Sequence, residues 1–358
     1  MGEGKNLVGV DIGTSSIKVV QIKESRRGLG LQRLGYTPLA PQTIVDGQVM
    51  DASAVVEGLM RVFHDAKIKQ KEIAISVSGQ SVIIRKITVP MMTREELNEQ
   101  IHWEAEQHIP FDIKDVQVDY QVLRKKPETS QMELLLVAAK RDQINDYAQL
   151  ARDAKLRPVV CDIDAFTVQN MFERSRGLPP DQTVGLINVG ASLCSLNIIA
   201  NGVSAFTREI ANGGNVVTDE IQKALGVPYE QAEAYKCGGA ADPGEPFRAG
   251  MVPQQVVQVV ETVTDSIAAE IQRSLDFYLA TSGEGEISRI YVTGGTASLV
   301  NLAQAIERRA RVPTEVWSAA ERLQVEAREV DGNLLQLRAA QLSVAAGLAL
   351  RHEKETRA

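Results

Sequence analysis

The sequence has few of the residues that build disulfide frameworks or zinc sites. Its three cysteines, Cys161, Cys194 and Cys237, are far apart and form no CxxC pair, whereas disulfide scaffolds and thiolate metal sites need several closely spaced cysteines. The four histidines lack the HExxH spacing of a zinc enzyme. We therefore expect reduced thiols in the cytosol and no zinc chemistry.

The sequence also lacks an excess of positive charge and long hydrophobic runs. The formal net charge is −7, and the basic residues are dispersed among acids, unlike the clustered basic surface that holds nucleic acid. The longest apolar stretches, such as Leu342–Leu350, fall short of the roughly 20 residues that cross a bilayer. The start, MGEGKNLVGVDIG, is too polar for a secretory signal. We predict no nucleic-acid role, and membrane contact only through partners.

Two common nucleotide-binding motifs are missing as well. Neither a GxxxxGK[ST] P-loop nor a GxGxxG fingerprint occurs, which argues against P-loop and dinucleotide-binding proteins. Apolar residues make up 44% of the chain and charged residues 24%, as in ordinary globular proteins. Because 358 residues exceed the usual single core of roughly 250–300 residues, two domains sharing a cleft are expected.

Strand-length apolar stretches alternate with helical periods, which is typical of a mixed α/β fold. A meander of three strands is predicted at Val8–Asp11, Ile17–Lys23 and Leu29–Pro38. Thr93 and Glu96 have the spacing of a capping box for a following helix.

That helix carries Trp103, which we expect to pack in a core with Ile101 and Ile109; a partner groove is the alternative. The run Arg176–Asp181, with one glycine and two prolines, is the candidate hinge between the halves.

The chain contains an internal repeat. The segments VGVDIGTSSIKVVQI and GLINVGASLCSLNII align without a gap at an offset of 177 residues, so that Asp11 meets Asn188 and Gly13 meets Gly190. A duplicated domain that contributes one phosphate hairpin from each half would produce this pattern. On these segments alone, chance similarity of two buried hairpins stays open.

The first hairpin turn carries chemistry suited to phosphate and magnesium. Tight turns expose backbone N–H groups that can cradle an anion, and Gly13 permits close approach. Asp11 could hold magnesium through its water shell, and Lys18 offers a compact positive charge. A plain β-hairpin is an equally good explanation of this segment taken alone.

Later glycine pairs suggest the rest of a nucleotide site. The strand Tyr291–Thr293 ends in Gly294 and Gly295, and Gly213 with Gly214 precedes another helix. Ordinary βα turns would look the same. Glu233 and Lys236, three apart on the next helix, could equally form a solvated face.

Taken in order, two phosphate hairpins, a GG turn, an ExxK helix and a late GG strand resemble the actin-like ATPase superfamily. The segments LVGVDIGTSSIKVVQIK, RKITVPMMTREELNEQIHWEAEQHIPFDIKDVQVDYQVL and AAGLALR further resemble the PilM family of type IV pilus assembly proteins, which is related to FtsA. The resemblance runs essentially end to end. It implies an α/β actin-like fold of two duplicated ribonuclease-H-like domains around a nucleotide cleft. The first domain would span 1–178, with an inserted α/β subdomain at about 83–140, and the second 179–358.

The resemblance also implies a site for ATP and Mg²⁺. Asp11 would be directed at magnesium, through water, and Asp164 would order magnesium waters or the attacking water. The residues expected at the phosphates are Gly13, Thr14, Ser15 and Lys18 from the first hairpin and Gly190, Ala191 and Ser192 from the second. Those expected around the adenosine are Gly213, Gly214, Glu233, Lys236, Gly294, Gly295 and Thr296.

One position departs from the family pattern. Relatives commonly carry aspartate where this chain has Asn188, and asparagine keeps the size and a carbonyl acceptor but loses the negative charge that organises a magnesium-bound water. We expect ATP binding with weak or no hydrolysis.

The family further implies a cytoplasmic scaffold of the pilus inner-membrane platform, held at the membrane by partners. Its expected partner is the cytoplasmic N-terminal peptide of PilN, bound between the nucleotide-bearing and inserted subdomains around Ile84–Ile101. Pilus assembly or retraction ATPases and platform proteins are further expected partners, and a homo-oligomer or ring is left open. The alternatives are an FtsA-like filament, disfavoured by the polar tail Arg351–Ala358, and a small-molecule kinase of the same fold.

Overall fold

The computed structural model describes residues 5–26, 28–178, 180–238, 252–283, 285–325 and 330–353. Residue 179 of the expected hinge and residues 354–358 of the polar tail lie outside the described residues. The strands are β1 Val8–Ile12, β2 Ser16–Ser25, β3 Gly28–Pro38, β4 Ile44–Val45, β5 Gln48–Val49, β6 Glu72–Val77, β7 Val82–Pro90, β8 Val116–Lys126, β9 Gln131–Lys140, β10 Arg157–Ile163, β11 Thr183–Val189, β12 Cys194–Ala200, β13 Val203–Ile210, β14 Ile287–Thr293, β15 Thr314–Val316 and β16 Leu323–Val325. The α-helices are α1 Ala52–Asp65, α2 Arg94–Glu106, α3 Arg141–Asp153, α4 Asp164–Arg176, α5 Gly214–Leu225, α6 Tyr229–Lys236, α7 Gln254–Ser282, α8 Leu302–Ala310, α9 Gly332–Arg338 and α10 Ser343–Leu348.

The two large sheets share the order and directions of five strands, and the first sheet has β16 as a sixth strand. In the first, β10-β6-β1-β2-β3-β16, strand β1 has the antiparallel hairpin β2-β3 on one side and the parallel strands β6 and β10 on the other. In the second, β13-β12-β11-β14-β15, strand β11 has β12-β13 and then β14-β15 in the same positions and directions. The duplication predicted from the repeat is therefore confirmed.

The two repeated hairpin turns close in the same way. The backbone N–H of Gly13 donates to the carbonyl oxygen of Ser16 at 3.1 Å, and that of Gly190 donates to Leu193 at 2.8 Å. These are equivalent positions in the repeat, because 13 plus 177 is 190. Each half thus presents one glycine turn at the end of its central strand.

A third, smaller sheet is inserted between β6 and α3. It is the antiparallel sheet β7-β9-β8, and α2 packs on one of its faces. The predicted capping box is confirmed: the N–H of Glu96 donates to Thr93 Oγ1 at 3.2 Å, and the N–H of Thr93 donates to Glu96 Oε2 at 2.7 Å. Both bonds satisfy donors that a helix start leaves unpaired.

The expectation for Trp103 was wrong. Ile101 and Ile109 are buried as predicted, but Trp103 is 63% exposed. On α2 the buried positions Leu97, Ile101 and Ala105 recur every four residues. Trp103 is two residues from Ile101, which places it on the opposite side of the helix.

The last described part of the chain returns to the first sheet. Strand β16 pairs with β3, and α10 packs against β1 and α4. A Cβ added at Gly9 would lie 1.9 Å from the carbonyl oxygen of Ala345, and one at Gly347 would lie 1.9 Å from that of Thr167. Backbones touch at both places. The division at residues 178 and 179 remains a prediction.

An aromatic cluster joins the two halves. The ring of Phe172, on α4, lies 4.6 Å from that of Tyr291 and 5.2 Å from that of Trp317. Phe172 and Trp317 are buried. Ring pairs at these separations add to the burial of apolar area, so the second half of α4 is packed against the second sheet.

Candidate functional site

A cavity of about 120 Å³ lies between the two sheets, where both glycine turns and the start of α4 meet. Most of the residues proposed from the sequence line it together. They are Asp11, Gly13, Thr14, Ser15, Lys18, Asp164, Asn188, Gly190, Ala191, Ser192, Gly294 and Gly295. We name it the nucleotide cavity below.

Asp11 and Lys18 form the charged centre of the first hairpin. They are direct cross-strand partners on β1 and β2, and Lys18 Nζ lies 3.1 Å from Asp11 Oδ2. Both side chains are almost fully enclosed, with 13% and 11% of the Asp11 and Lys18 side chains exposed. The cavity therefore holds a fixed cation suited to a phosphate chain and a carboxylate suited to a metal-bound water.

The two aspartates at the end of β10 differ in their surroundings. Asp162 is buried and accepts a hydrogen bond from Arg351 Nε at 2.7 Å, whereas Asp164 lines the nucleotide cavity. Burial, and then the negative charge of Asp11, raise the pKa of Asp164 to about 6. Asp164 can therefore hold or release a proton near neutral pH, which a water-activating group requires.

Gly213 and Gly214 lie behind the second hairpin and not in the cavity wall. The N–H of Gly214 donates to the carbonyl oxygen of Gly190 at 3.0 Å, and that of Asn215 donates to Ala191 at 2.7 Å. A Cβ at Gly213 would lie 2.6 Å from both of these carbonyl oxygens. The first N–H groups of α5 are thus used to hold the hairpin, and glycine at 213 permits the approach.

Glu233, Lys236 and Thr296 lie beside the cavity. Lys236 Nζ is 2.6 Å from Glu233 Oε2, and Thr218 Oγ1 donates to the same carboxylate at 2.7 Å. Only 13% of the Lys236 side chain is exposed, so the pair is not a solvated face. Thr296 Oγ1 donates to the carbonyl oxygen of Gly190 at 2.8 Å. Contact of these residues with an adenosine remains a prediction.

Sequence reasoning missed Glu209, which lines the nucleotide cavity from β13. Its Oε2 is buried and has no hydrogen-bond partner among the described residues. Burial, and then the charge of Asp164, raise the pKa of Glu209 to about 7. The available signal was an acidic residue within a strand that ends just before Gly213. Ser78, Tyr147 and Gln341 also line the cavity, and nothing in their local sequence marks them.

The carboxylates fit a magnesium ion that is held mainly by phosphate and water. Among the described residues no cluster of three or more His, Cys, Asp or Glu side chains has metal-binding geometry, and Asp11, Asp164 and Glu209 line the cavity as separate side chains. Mg²⁺ commonly keeps several waters and takes one or two carboxylates plus phosphate oxygens. Asp11 and Asp164 would hold those waters.

Replacing Glu209 by glutamine is expected to flatten the pH dependence of stability. The folded pKa of Glu209 is about 7 and its ordinary value 4.5, so the folded state binds the proton more tightly. Its stabilising contribution is complete below pH 4.5 and is lost as the pH rises to about 7. The loss is about 2 kcal/mol after allowance for partial exposure. Urea unfolding between pH 5 and 8 measures it.

Glu57→Gln, at an exposed site on α1, is the matched control and should keep the wild-type slope. Equal slopes for the wild type and Glu209→Gln would show that Glu209 does not titrate in this window.

The fold and the paired glycine turns define the class of protein, because the chain has the actin-like ATPase fold. Among solved structures, the ethanolamine utilization protein EutJ from Carboxydothermus hydrogenoformans matches with a TM-score of 0.58 at 15% identity over 96% of this chain and 89% of that one. MreB5 of Spiroplasma citri bound to ADP matches with a TM-score of 0.50 at 14% identity over 97% of this chain and 95% of that one. At these identities the likeness shows the fold alone.

The family follows from a closer match. The family model of the type IV pilus assembly protein PilM matches residues 9–353, and the chain belongs to this family. A structure of a PilM-PilN type IV pilus biogenesis complex matches with a TM-score of 0.84 at 25% identity, over 97% of this chain and 98% of that one. No described helix combines the length and apolar character needed to cross a membrane.

Proposed function

We propose that this chain binds ATP with Mg²⁺ in the nucleotide cavity and serves as a scaffold of the type IV pilus machinery, bound to the cytoplasmic N-terminal peptide of PilN. Coupling to the pilus motor components and a position at the inner membrane through these partners belong to the same proposal. ATP acts here as a ligand that favours one arrangement of the two halves. The observation that carries it is the convergence of two duplicated glycine turns on Lys18, Asp11 and Asp164.

Different residues of the cavity would bind the phosphates and the magnesium ion. Lys18 and the N–H groups of the two turns would take the phosphate oxygens, while Asp11 and Asp164 would orient magnesium waters. Bound magnesium supplies charge neutralisation of the phosphate chain. A volume of 120 Å³ is below the roughly 300–1,000 Å³ of small-molecule sites. We therefore expect the halves to move apart when the nucleotide enters.

A second feature supports the peptide part of the proposal. A groove of about 1300 Å³ runs between the inserted sheet, with α2 and β8, and the first half, with β10 and α4. We name it the α2/α4 groove. Its lining includes Arg94, Asn98, Val122, Phe166 and Asn170. It also borders β8, an edge strand that pairs only with β9 in the part of the chain that the structure describes. An extended peptide could add to its outer side.

Calorimetry tests both parts. We expect saturable binding of ATP with Mg²⁺, saturable binding of a synthetic PilN N-terminal peptide, and little phosphate release. Asn170→Arg, in the α2/α4 groove, should weaken the peptide at least tenfold and leave ATP unchanged. Asn145→Arg, on an exposed face of α3 outside the groove, is the matched control. Failure of both ligands to bind would refute the scaffold. Sugar-dependent conversion of ATP to ADP, with the phosphoryl group transferred to the sugar, would favour a kinase instead.

Asn188→Asp is expected to raise ATP hydrolysis about tenfold or more, because it restores a carboxylate that can organise a magnesium-bound water. Asn188 is the penultimate residue of β11. A Cβ at Gly294 would lie 2.5 Å from its Oδ1, so the side chain is held against the late glycine turn. Phosphate release at saturating ATP measures the effect. The control is Asn201→Asp, in the exposed turn after β12. Equal turnover of wild type and Asn188→Asp would sink the hypothesis.

A further inference from the structure

A second groove lies on another side of the inserted sheet. It has a volume of about 760 Å³ and runs between β7, β13 and the last turns of α7. We name it the β7/β13 groove. It differs from the α2/α4 groove in its walls, which are β7, β13 and α7 in place of α2, β8, β10 and α4, although the two grooves share Leu135 and Ser204. Its volume is within the range of sites that bind small molecules or peptide segments.

Two open sheet edges face this groove. Strand β7 is the edge of its sheet and pairs only with β9, while β13 is the edge of the second sheet and pairs only with β12, among the described residues. Along 83–86 and 204–209 one side of each strand is therefore free of sheet hydrogen bonds. Open edges of this kind can pair with an added extended strand.

An aromatic wall gives the groove an apolar contact surface. The ring of Phe206 lies 6.0 Å from that of Phe277 and 5.9 Å from that of Tyr278. Phe277 is 53% exposed, which is unusual for a large apolar side chain. Ile84 is half-buried on the opposite wall. An apolar side chain of an inserted strand would be covered by these groups.

The charges that line the groove favour a negatively charged partner segment. Arg85 and Arg208 line it and are exposed, and neither guanidinium group has a hydrogen bond or ion pair within the described part of the chain. The third base, Lys86, is 3.5 Å from Glu133. The acid among the lining residues, Glu209, also lines the nucleotide cavity. Two unpaired guanidinium groups thus remain on a chain whose net charge is −7.

We propose that the β7/β13 groove binds an extended acidic segment of a partner protein as an added β-strand, with Arg85 and Arg208 pairing its carboxylates and an apolar side chain covering Phe277. Six extended residues span about 20 Å. Arginine suits this task because its planar fork binds a carboxylate through two hydrogen bonds. The same two charges disfavour a basic strand. The proposed binding requires neither ATP nor the PilN peptide, although the groove shares Glu209 with the nucleotide cavity.

The test uses the whole chain and a fluorescein-labelled peptide with the sequence EVEFEV, followed by fluorescence anisotropy. We expect saturable binding at physiological salt. The peptide KVKFKV should bind at least tenfold more weakly, because its charges oppose those of the two arginines. Hydrogen exchange of the backbone amides should slow along the edge that the peptide joins, 83–86 or 204–209, when EVEFEV is bound, because an added strand pairs with that edge.

The decisive variant is Arg85→Glu combined with Arg208→Glu. Both sites are exposed, so folding should be retained, and circular dichroism checks this. We expect the affinity for EVEFEV to fall at least tenfold. Arg124→Glu is the matched control, since Arg124 is exposed on β8 at the opposite edge of the same sheet and outside both grooves. It should change the affinity less than twofold.

Three outcomes would overturn the proposal. The first is no saturable binding of EVEFEV, or binding that the double variant leaves unchanged. The second is tighter binding of a single-stranded DNA oligonucleotide than of the peptide, which would make the arginines a phosphate site. The third is displacement of EVEFEV by the PilN peptide, which would place both in one groove.

Discussion

Lys18→Ala is expected to weaken the affinity for ATP with Mg²⁺ about 100-fold. The Lys18 ammonium is largely enclosed in the nucleotide cavity, where a charge acts more strongly on a phosphate than it would in water. Its loss also leaves Asp11 without its partner at 3.1 Å, so the carboxylate would repel the phosphates directly. Calorimetry with and without magnesium measures both effects.

Lys23→Ala is the matched control for this experiment. Lys23 lies on the same strand, β2, but is exposed and lies outside the nucleotide cavity. The control should bind ATP like the wild type. If Lys18→Ala also bound ATP like the wild type, the phosphate site would have to be moved away from the first glycine turn.

Gly347→Ala is expected to destabilise the protein by about 3 kcal/mol. The added methyl group would lie 1.9 Å from the carbonyl oxygen of Thr167 and 2.5 Å from its carbonyl carbon. These are backbone atoms of α4, so no side chain can rotate out of the way. Helix α10 would have to separate from α4 at the point where α4 presents Asp164. Urea unfolding measures the loss.

The same substitution at an open glycine is the control. Gly332, at the start of α9, has no atom of the described residues within 4 Å of an added Cβ. Gly332→Ala should therefore leave the stability unchanged or raise it slightly, because alanine has less conformational freedom in the unfolded chain. Equal stabilities of the two variants would contradict the close backbone packing at Gly347.

The sequence predicted those parts of the fold that depend on local pattern. The strands of both hairpins, the capping box at Thr93 and the duplication are all expressed in residues that are close together or aligned by one offset. Many residues of the nucleotide cavity could also be predicted from local sequence, because each hairpin carries its own glycine turn. Asp164 was added only through the family resemblance.

The rest depends on contacts between distant parts of the chain. Glu209 reaches the cavity because β13 is the third strand of a meander, and its neighbour Asp164 is supplied by the other half. The exposure of Trp103 follows from its position around α2, on the side away from Ile101, and its aromatic character does not override that position. The return of β16 and α10 to the first sheet has no local signal at all.

The packing of β16 and α10 on the first sheet affects how the chain folds during its synthesis. The Asn6 side chain donates a hydrogen bond to the carbonyl oxygen of Ala349, which lies 343 positions later in the chain. Helix α10, which directly precedes Ala349, covers β1. During synthesis, β1 leaves the ribosome long before the helix that packs on it exists. The apolar face of the first sheet that α10 covers therefore stays exposed until nearly the whole described chain has emerged. Chaperone occupancy of nascent chains should accordingly persist until residues 343–353 are released.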